Sequence, residues 1–298
     1  MVARTRRLRG LTALAARAYP LKSGYLRVSR LKPLRAMTRR PEVAVARLRN
    51  GSRLVVRADD VIGRAILYLG DYDPKITWIC RRLLRPGDVL LDVGANMGVV
   101  SVFASPLVGT SGHVHAFEPQ PELVDTLERS LVLNGMSNVT VHPVALSDLD
   151  GNLPLSEVPG NLGRATLEPP DADHEVTGCT VPVHRADRYL DELSVGSVRL
   201  LKLDVEDHEE AFLRGAEGYL RTAMPSAIVF ESHGNSSFYD RPPVQILGRL
   251  GYTFFQIPKA LFRIRLTPVP RSGPPAPGFD YVAISPGAPD VRHALGCS

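Results

Sequence analysis

Cysteine is scarce in this sequence, which has three such residues, Cys80, Cys179 and Cys297, among 298 positions. They lie far apart, and none has a second cysteine at the spacing of a disulfide framework or a zinc-binding pair. A disulfide-stabilised fold and a cysteine-ligated zinc site are therefore not expected. We expect the protein to work in a reducing compartment, the cytoplasm.

Long apolar runs are also absent. No stretch approaches the roughly 20 apolar residues that a membrane-spanning helix needs. Near the N terminus, the segment from Leu11 to Ala16 is too short and too weakly apolar for the core of a signal peptide, and Arg17 follows it at once. We expect neither a transmembrane segment nor a secretory signal.

Acidic residues are almost missing from the first 53 positions. That segment has 15 lysines and arginines against one acid, Glu42, whereas the remainder has 21 bases and 30 acids. Apolar residues from Leu8 to Ala18 fall on one face of a modest amphipathic helix, with arginines opposite. We predict a basic N-terminal extension at residues 1–53, partly helical or disordered, and a folded domain at residues 54–298.

Two interpretations of this extension stay open. A basic amphipathic segment is typical of peripheral contact with an anionic membrane, but it is equally compatible with a solvated extension. Nucleic acid is not an expected partner, because only Tyr19 and Tyr25 are available there to stack on bases. The sequence does not indicate the oligomeric state.

Strands and helices alternate through most of the domain. The run Val89–Leu91 lacks polar alternation, which is typical of a central strand of a parallel sheet covered on both faces. The alternation predicts an α/β fold with a doubly wound, mostly parallel sheet. Further strands are expected at residues 113–117, 139–146, 198–205 and 227–230, with one helix at 208–221.

Two segments depart from this alternation. Residues 151–177 are rich in glycine, proline and acids, and we expect an excursion with one or two hairpin strands there, Cys179–His184 being the clearest strand. The last two apolar strands, Thr253–Ile257 and Tyr281–Ser285, flank a proline-rich loop at 267–278. They predict an antiparallel pair at the sheet edge.

A glycine-rich turn follows the first of the parallel strands. It reads Gly94-Ala-Asn-Met-Gly98, so Asn96 replaces the middle glycine of the dinucleotide-binding motif, which lets a pyrophosphate approach the backbone. Glu118 ends the next strand 20 residues after Gly98, where an acid can accept both ribose hydroxyls. The combination favours S-adenosylmethionine over NAD, with an NAD-type oxidoreductase as the alternative.

Several motifs in this order resemble those of the FkbM family of S-adenosylmethionine-dependent methyltransferases. The resemblance covers roughly residues 60–260 and rests on Asp92–Gly98, Phe117–Pro119, Ala145–Asp148, Lys202–Glu206, Leu213–Ala216 and Phe230–Glu231. It implies the seven-stranded class I methyltransferase (Rossmann-like) sheet with a reversed edge strand. It also implies O-methylation of a hydroxyl on a sugar, glycolipid or secondary metabolite.

The resemblance also assigns roles to residues by position. It implies that Glu118 holds the ribose, that Ser147 and Asp148 hold the adenine, and that the methionine moiety is held by Asp92, Gly94, Asn96 and Gly98. One position departs from the pattern, because the family commonly has glycine where this chain has Asp207. A side chain there resists a positive φ, although aspartate tolerates it better than most residues.

Methyl transfer to oxygen requires the acceptor hydroxyl to lose a proton. Acids end five of the predicted strands, at Asp92, Glu118, Asp148, Asp204 and Glu231, and strand ends are where ligands bind in such sheets. Candidates for the base are Asp204, Glu206, His208 and His233. Asp204 has the best position, although it could equally cap the next helix. No metal is expected. A further alternative is a non-catalytic cofactor-binding protein anchored by its basic N-terminal extension, for which Asp207 is the one support in the sequence.

Overall fold

The computed structural model of the protein describes residues 24–38, 43–158, 161–168, 175–234, 236–259, 263–271 and 278–297. Within these ranges no helix has the length and apolar character needed to cross a bilayer. The predicted amphipathic helix at Leu8–Ala18 lies outside the described residues.

The described chain begins with two short helices and a hairpin. Asp60 caps the third helix by accepting hydrogen bonds from the amides of Ile62 and Gly63, and Gly70 ends that helix with φ 72°. The elements are α1 (Tyr25–Ser29), α2 (Lys32–Met37), β1 (Val43–Arg47), β2 (Arg53–Arg57), α3 (Val61–Leu69) and α4 (Pro74–Leu83).

The β1–β2 hairpin crosses the predicted boundary between extension and domain. The two strands pair antiparallel from Val43 with Arg57 to Arg47 with Arg53. Ala46 and Leu54 are buried in the main core, so the residues just before position 53 pack with the domain. The division at residue 53 stays a prediction, and only residues well before β1 could form a separate extension.

The parallel part of the fold follows. Its first half consists of β3 (Val89–Val93), α5 (Val99–Val108), β4 (His113–Phe117), α6 (Pro121–Asn134) and β5 (Val139–His142). A smaller four-stranded sheet and a helix come next, formed by β6 (Ala145–Ser147), β7 (Gly151–Val158), β8 (Asn161–Thr166), β9 (Glu175–Arg185) and α7 (Ala186–Glu192).

The second half completes the large sheet. It contains β10 (Leu200–Leu203), α8 (Glu209–Gly215), α9 (Glu217–Ala223), β11 (Ala227–Glu231), α10 (Pro242–Arg249), β12 (Thr253–Gln256), β13 (Thr267–Pro268), β14 (Asp280–Ile284) and α11 (Pro289–Leu295). A single 3₁₀ turn at Phe238–Asp240 precedes α10.

The predicted class I methyltransferase fold is confirmed by the strand order, β13-β12-β14-β11-β10-β3-β4-β5, although this sheet has eight strands where seven were expected. Five neighbouring strands, β5, β4, β3, β10 and β11, are parallel to one another. In contrast, β14 runs antiparallel to both of its neighbours, β11 and β12. The predicted antiparallel pair of Thr253–Ile257 with Tyr281–Ser285 is therefore present, and the two-residue β13 adds an antiparallel edge. Strand order reverses between β3 and β10, where ligands bind in doubly wound sheets.

Both faces of the sheet are covered by apolar side chains. Neighbouring residues of β3 alternate between two core clusters: Leu90 packs with Ile79 and Val114 on one face, and Leu91 packs with Leu201 and Phe230 on the other. This double burial explains why the strand lacks polar alternation in the sequence.

Two of the predicted elements were wrong in extent. The single strand expected at 139–146 is two strands in different sheets, because Pro143 lacks the amide hydrogen needed to continue the ladder and β6 turns away to pair with β9. The helix expected at 208–221 is divided at Ala216 into α8 and α9. Gly215, next to the division, packs so closely that a Cβ there would lie 1.8 Å from the Ser147 carbonyl oxygen.

The excursion at 151–177 contains more strand than expected. It supplies β7, β8 and the start of β9, and β9 pairs with both β6 and β7. Residues 272–277 of the proline-rich loop lie outside the described part of the chain.

A histidine pair joins β4 and β5. We expect it to make the stability of the protein depend on pH. His115 Nδ1 lies 3.1 Å from His142 Nε2. Burial and neighbouring histidines lower the pKa of both residues to about 4, below the ordinary 6.5. The unfolded chain therefore binds more protons between pH 4 and 6.5, and stability present above pH 6.5 should be lost as the pH falls through that window. Urea unfolding measured from pH 4 to 8 tests this.

The double variant His115→Gln/His142→Gln should flatten that dependence. His293→Gln, on an exposed residue of α11, provides the control and should follow the wild-type profile. If the free energy of unfolding depends on pH equally in the wild type and the double variant, the histidine pair is not the cause of the dependence.

Candidate active site

The glycine-rich turn lies between β3 and α5, at the point where strand order reverses. Gly94 has φ 76°, Asn96 has φ 54° and Gly98 has φ 84°. A Cβ on Gly94 would lie 1.9 Å from the Asp204 carbonyl oxygen, so the turn packs directly on the end of β10. Only glycine allows this approach.

Glu118, at the end of β4, holds the turn in place. Its Oε2 accepts a hydrogen bond from the Asn96 amide at 2.8 Å, and its Oε1 accepts one from the Gln120 amide at 2.9 Å. Burial raises the pKa of this carboxyl to about 7, against the opposing effect of these hydrogen bonds. Each oxygen retains a second lone pair for a ligand hydroxyl.

Asp92 lies behind the turn. It is fully buried; its Oδ2 accepts a hydrogen bond from Ser101 Oγ at 2.6 Å, and its Oδ1 lies 3.4 Å from Lys202 Nζ. Asp92 does not line the cleft that opens above the turn, whereas Gly94, Asn96 and Glu118 do. Asp92 therefore supports the turn from within the sheet.

Lys202 was quoted in the sequence motif but received no predicted role. Its ammonium donates a hydrogen bond to the Gly94 carbonyl and forms ion pairs with Asp92 at 3.4 Å and Asp204 at 3.5 Å. Burial alone would lower the pKa of Lys202, but the charges of Asp204 and Asp92 outweigh burial and raise it. A charged residue inside the apolar strand Leu200–Leu203 was the available signal.

A cleft opens above the turn and ends at Asp204. The polar side consists of Gly94, Asn96, Glu118 and the segment after β10, and the apolar side includes Phe117, Val144, Leu146, Leu155, Gly163, Ala165 and Leu167. We refer to this as the cofactor cleft. Polar groups at the turn and apolar side chains beyond it match a ligand with a charged amino-acid end, a ribose and a planar base.

The cofactor cleft is narrow, with a free volume of about 60 Å³. Clefts that bind small molecules are typically about 300–1,000 Å³. Its outer wall is the β7–β8 hairpin and the residues after it, held to the domain by hydrogen bonds from the Leu162 amide to Asp60 Oδ2 and from Thr166 Oγ1 to the Glu206 carbonyl. Binding a nucleoside cofactor therefore requires this wall to move outward.

Glu206 and Asp207 follow β10 in an uncommon backbone conformation. Their φ angles are 51° and 73°, in the left-handed region. This is the conformation that a glycine at position 207 would adopt without strain. The Glu206 side chain lines the cofactor cleft, and burial, with the charges of Asp204 and Glu231, raises the pKa of Glu206 to about 8.

His208 also lines the cofactor cleft, but both of its ring nitrogens have partners. Nδ1 lies 2.7 Å from Glu168 Oε1, and Nε2 lies 2.9 Å from Ser147 Oγ. Ser147 is fully buried beneath the cleft, and the neighbouring Asp148 accepts a hydrogen bond from Arg214. These contacts make His208 a connection between β6 and the hairpin wall.

A second cavity, of about 510 Å³, lies on the other side of Asp204. We refer to it as the acceptor pocket. Predicted residues Asp204 and His233 line it, together with Glu231, and His233 Nε2 lies 3.0 Å from Glu231 Oε2. This hydrogen bond raises the pKa of His233. Glu206 and His208 are not among its lining residues.

The acceptor pocket includes charged residues that sequence reasoning missed. Lys75 Nζ lies 3.4 Å from Asp73 Oδ2 and also contacts Asp280, and all three residues line the pocket. They come from the start of α4 and the start of β14, which are 205 positions apart in the chain. No local pattern indicates that they meet.

Comparison with known proteins identifies the family. Residues 92–257 match the Methyltransferase FkbM domain. The chain belongs to the FkbM methyltransferase family. S-adenosylmethionine is the cofactor of this family, so the prediction of that cofactor is confirmed.

Relatives of this FkbM-family protein cover part of its length. A 31-O-demethyl-FK506 methyltransferase, FkbM, of Streptomyces tacrolimicus is 31% identical over 45% of this chain and 61% of its own. The hexuronic acid methyltransferase AglP of Haloferax volcanii is 28% identical over 61% of this chain and 70% of its own. The first three curated relatives are matched over 58%, 61% and 63% of their length.

Among solved structures, a fibrillarin from Aeropyrum pernix with bound S-adenosylmethionine is 15% identical. It covers 82% of this chain and 100% of its own, with a TM-score of 0.40.

The left-handed backbone conformation of Asp207 should affect stability. We expect Asp207→Ala to lower the free energy of unfolding by about 1 kcal/mol relative to Asp207→Gly, because a Cβ is disfavoured in the left-handed region. Urea unfolding of both variants measures the difference.

The matched control is Asp191, an exposed residue of α7. There the order should reverse, with alanine the more stable by about 1 kcal/mol, because glycine is unfavourable within a helix. If the two Asp207 variants are equally stable, a Cβ causes no strain at this position.

Proposed function

We propose that this protein transfers the methyl group of S-adenosylmethionine to a hydroxyl oxygen of a sugar, a glycan or a related hydroxylated metabolite. The observation that carries the proposal is the position of Asp204. Of the described residues, it alone lines both the cofactor cleft and the acceptor pocket. A carboxylate at that junction is placed to touch an acceptor hydroxyl that faces the cofactor.

The bound cofactor supplies the electrophilic methyl group, and this chain supplies alignment and proton transfer. Asp204 accepts the proton of the acceptor hydroxyl as the new carbon–oxygen bond forms. Lys202 keeps the Asp204 carboxylate and the glycine-rich turn in one arrangement, since its ammonium contacts both. Alignment of this kind can contribute about 7–11 kcal/mol to lowering the barrier.

A hydroxyl-rich acceptor is supported by the chemistry of the acceptor pocket. Carboxylates of Asp73, Asp204, Glu231 and Asp280 line it, and ionised carboxylates are acceptors for hydroxyl groups. The ring of Phe279 also lines the pocket, next to His233 and Lys259, and adds apolar surface to it. Two relatives, a 31-O-demethyl-FK506 methyltransferase and a hexuronic acid methyltransferase, support the same class.

The alternatives from the sequence are less well supported. The family match argues against an NAD-type oxidoreductase. The main sequence argument for a non-catalytic protein was Asp207, and the backbone accommodates this residue in the conformation expected of glycine. Peripheral membrane contact through residues 1–53 and a cytoplasmic location are retained as proposals.

Binding of S-adenosylhomocysteine tests the cofactor site. Glu118→Gln should weaken binding about tenfold at pH 8, because a hydrogen bond to a charged group contributes about 1.5–3 kcal/mol. In the wild type, affinity should fall as the pH drops through 7, where the Glu118 carboxylate becomes protonated, and Glu118→Gln should lack this dependence. Calorimetric titration from pH 6 to 8 measures both effects.

Glu122→Gln is the control for this titration, since Glu122 lies in the first turn of α6 and pairs with Arg57. It should bind S-adenosylhomocysteine as the wild type does. Glu118→Gln binding as tightly as the wild type across the range would remove the proposed role of Glu118.

Methyl transfer tests Asp204. With radiolabelled S-adenosylmethionine and either glucose or glucuronic acid as the acceptor, Asp204→Asn should lower kcat by about 10²–10⁴-fold, the usual contribution of a proton-transferring side chain. Its affinity for S-adenosylhomocysteine should change little. Asp191→Asn should retain full activity. Transfer by Asp204→Asn at the wild-type rate would exclude Asp204 as the base.

A further inference from the structure

A large groove lies beside the acceptor pocket. It has a volume of about 640 Å³ and is formed by the turn between β1 and β2, by the first two turns of α4 and by Phe103 of α5. Three arginines line it, Arg47 and Arg49 from the hairpin and Arg81 from α4. We refer to it as the arginine groove.

The arginine groove is cationic. Among the residues that line it, the one acid is Asp71, which is 3% exposed. The Asp71 carboxylate accepts hydrogen bonds from Thr77 Oγ1 at 2.7 Å and from the Tyr72 amide at 2.8 Å. Burial raises its pKa to about 6. Its charge is therefore largely engaged within the protein, and the groove presents a positive field.

Two of the guanidinium groups are pre-positioned. The Arg81 guanidinium lies 5.4 Å from the centre of the Phe103 ring. Arg49 donates a hydrogen bond to the Leu69 carbonyl at 3.2 Å and lies 5.5 Å from the centre of the Tyr25 ring. Arginines fixed in this way lose little side-chain entropy on binding, and their planar geometry suits bidentate contact with phosphate.

The groove and the acceptor pocket adjoin each other. Pro74, the first residue of α4, lines both cavities. Tyr25 lines the acceptor pocket, and its ring is covered by Arg49 of the groove. The two cavities also differ in charge. The acceptor pocket combines the carboxylates of Asp73, Asp204, Glu231 and Asp280 with the cations Arg27, Lys75 and Lys259, whereas guanidinium groups dominate the groove. One ligand could occupy both if it carried hydroxyls at one end and an anionic group at the other.

We propose that the arginine groove binds a phosphate group of the methyl acceptor, so that the acceptor is a phosphorylated sugar. The hydroxyl-bearing ring would occupy the acid-lined pocket beside Asp204, and the phosphate would lie between Arg49 and Arg81. This inference rests on the proposed function for its account of the sugar end, whereas anion binding by the groove can be measured independently.

Calorimetric titration with inorganic pyrophosphate and with glucose 1-phosphate tests the groove in the full-length protein. Saturable binding of both is expected in the wild type. Arg49→Gln and Arg81→Gln should each weaken it about tenfold, and the affinity should fall with rising salt concentration. Arg221→Gln is the matched control, because Arg221 is an exposed arginine of α9 that pairs with Glu217.

Titration of the same samples with S-adenosylhomocysteine separates the two proposals. Intact cofactor binding without saturable binding of either phosphate compound would overturn the phosphate site and leave the proposed function standing. Phosphate binding unchanged in both groove variants would also overturn the site. If the wild-type protein does not bind S-adenosylhomocysteine, the proposed function is wrong.

Sedimentation with phosphatidylglycerol vesicles distinguishes the source of the phosphate. Binding of glucose 1-phosphate without co-sedimentation supports a soluble phosphorylated acceptor. Binding of glucose 1-phosphate together with co-sedimentation that Arg49→Gln and Arg81→Gln both reduce supports a lipid-linked one. Co-sedimentation without binding of either phosphate compound overturns the acceptor assignment and indicates a membrane contact instead.

Discussion

The buried ammonium of Lys202 is the interaction on which the site depends. It joins three elements: Asp92 inside the sheet, the carbonyl of Gly94 in the turn, and Asp204 at the end of β10. Removing one partner of a buried ion pair typically costs about 3–5 kcal/mol, because the remaining charge is left without compensation. The arrangement of the turn and that of the proposed base therefore depend on one side chain.

Three carboxyls with displaced pKa values lie at the end of β4 and in the segment after β10. Burial raises the pKa of Glu118 to about 7, that of Glu209 to about 7 and that of Glu206 to about 8. At Glu206 and Glu209 the charges of Asp204 and Glu231 add to the effect of burial, whereas burial is the main cause at Glu118. Such displaced pKa values are frequent at catalytic sites.

Much of the fold could be predicted because its signals are local. The apolar run of β3, the turn at Gly94–Gly98 and the acid ending β4 follow from backbone sterics and double burial, each within a few residues. The division of 139–146 at Pro143 was also visible but was misread, since a proline in an apolar run argues against one continuous strand. The motif around Lys202 was recognised, but its role depended on Asp92 and Gly94, which belong to β3 and the turn after it.

The sequence by itself determined the sheet type and the cofactor turn, because periodicity and spacing encode them within short segments, and the order of its motifs resembles that of the FkbM family. Only the tertiary structure decided which charged residues meet. It placed Asp204 between two cavities, joined Lys75 to Asp280 across 205 positions, and brought the β1–β2 arginines beside α4. These contacts arise from the packing of elements that are distant in the chain, and no local sequence pattern indicates how such elements pack.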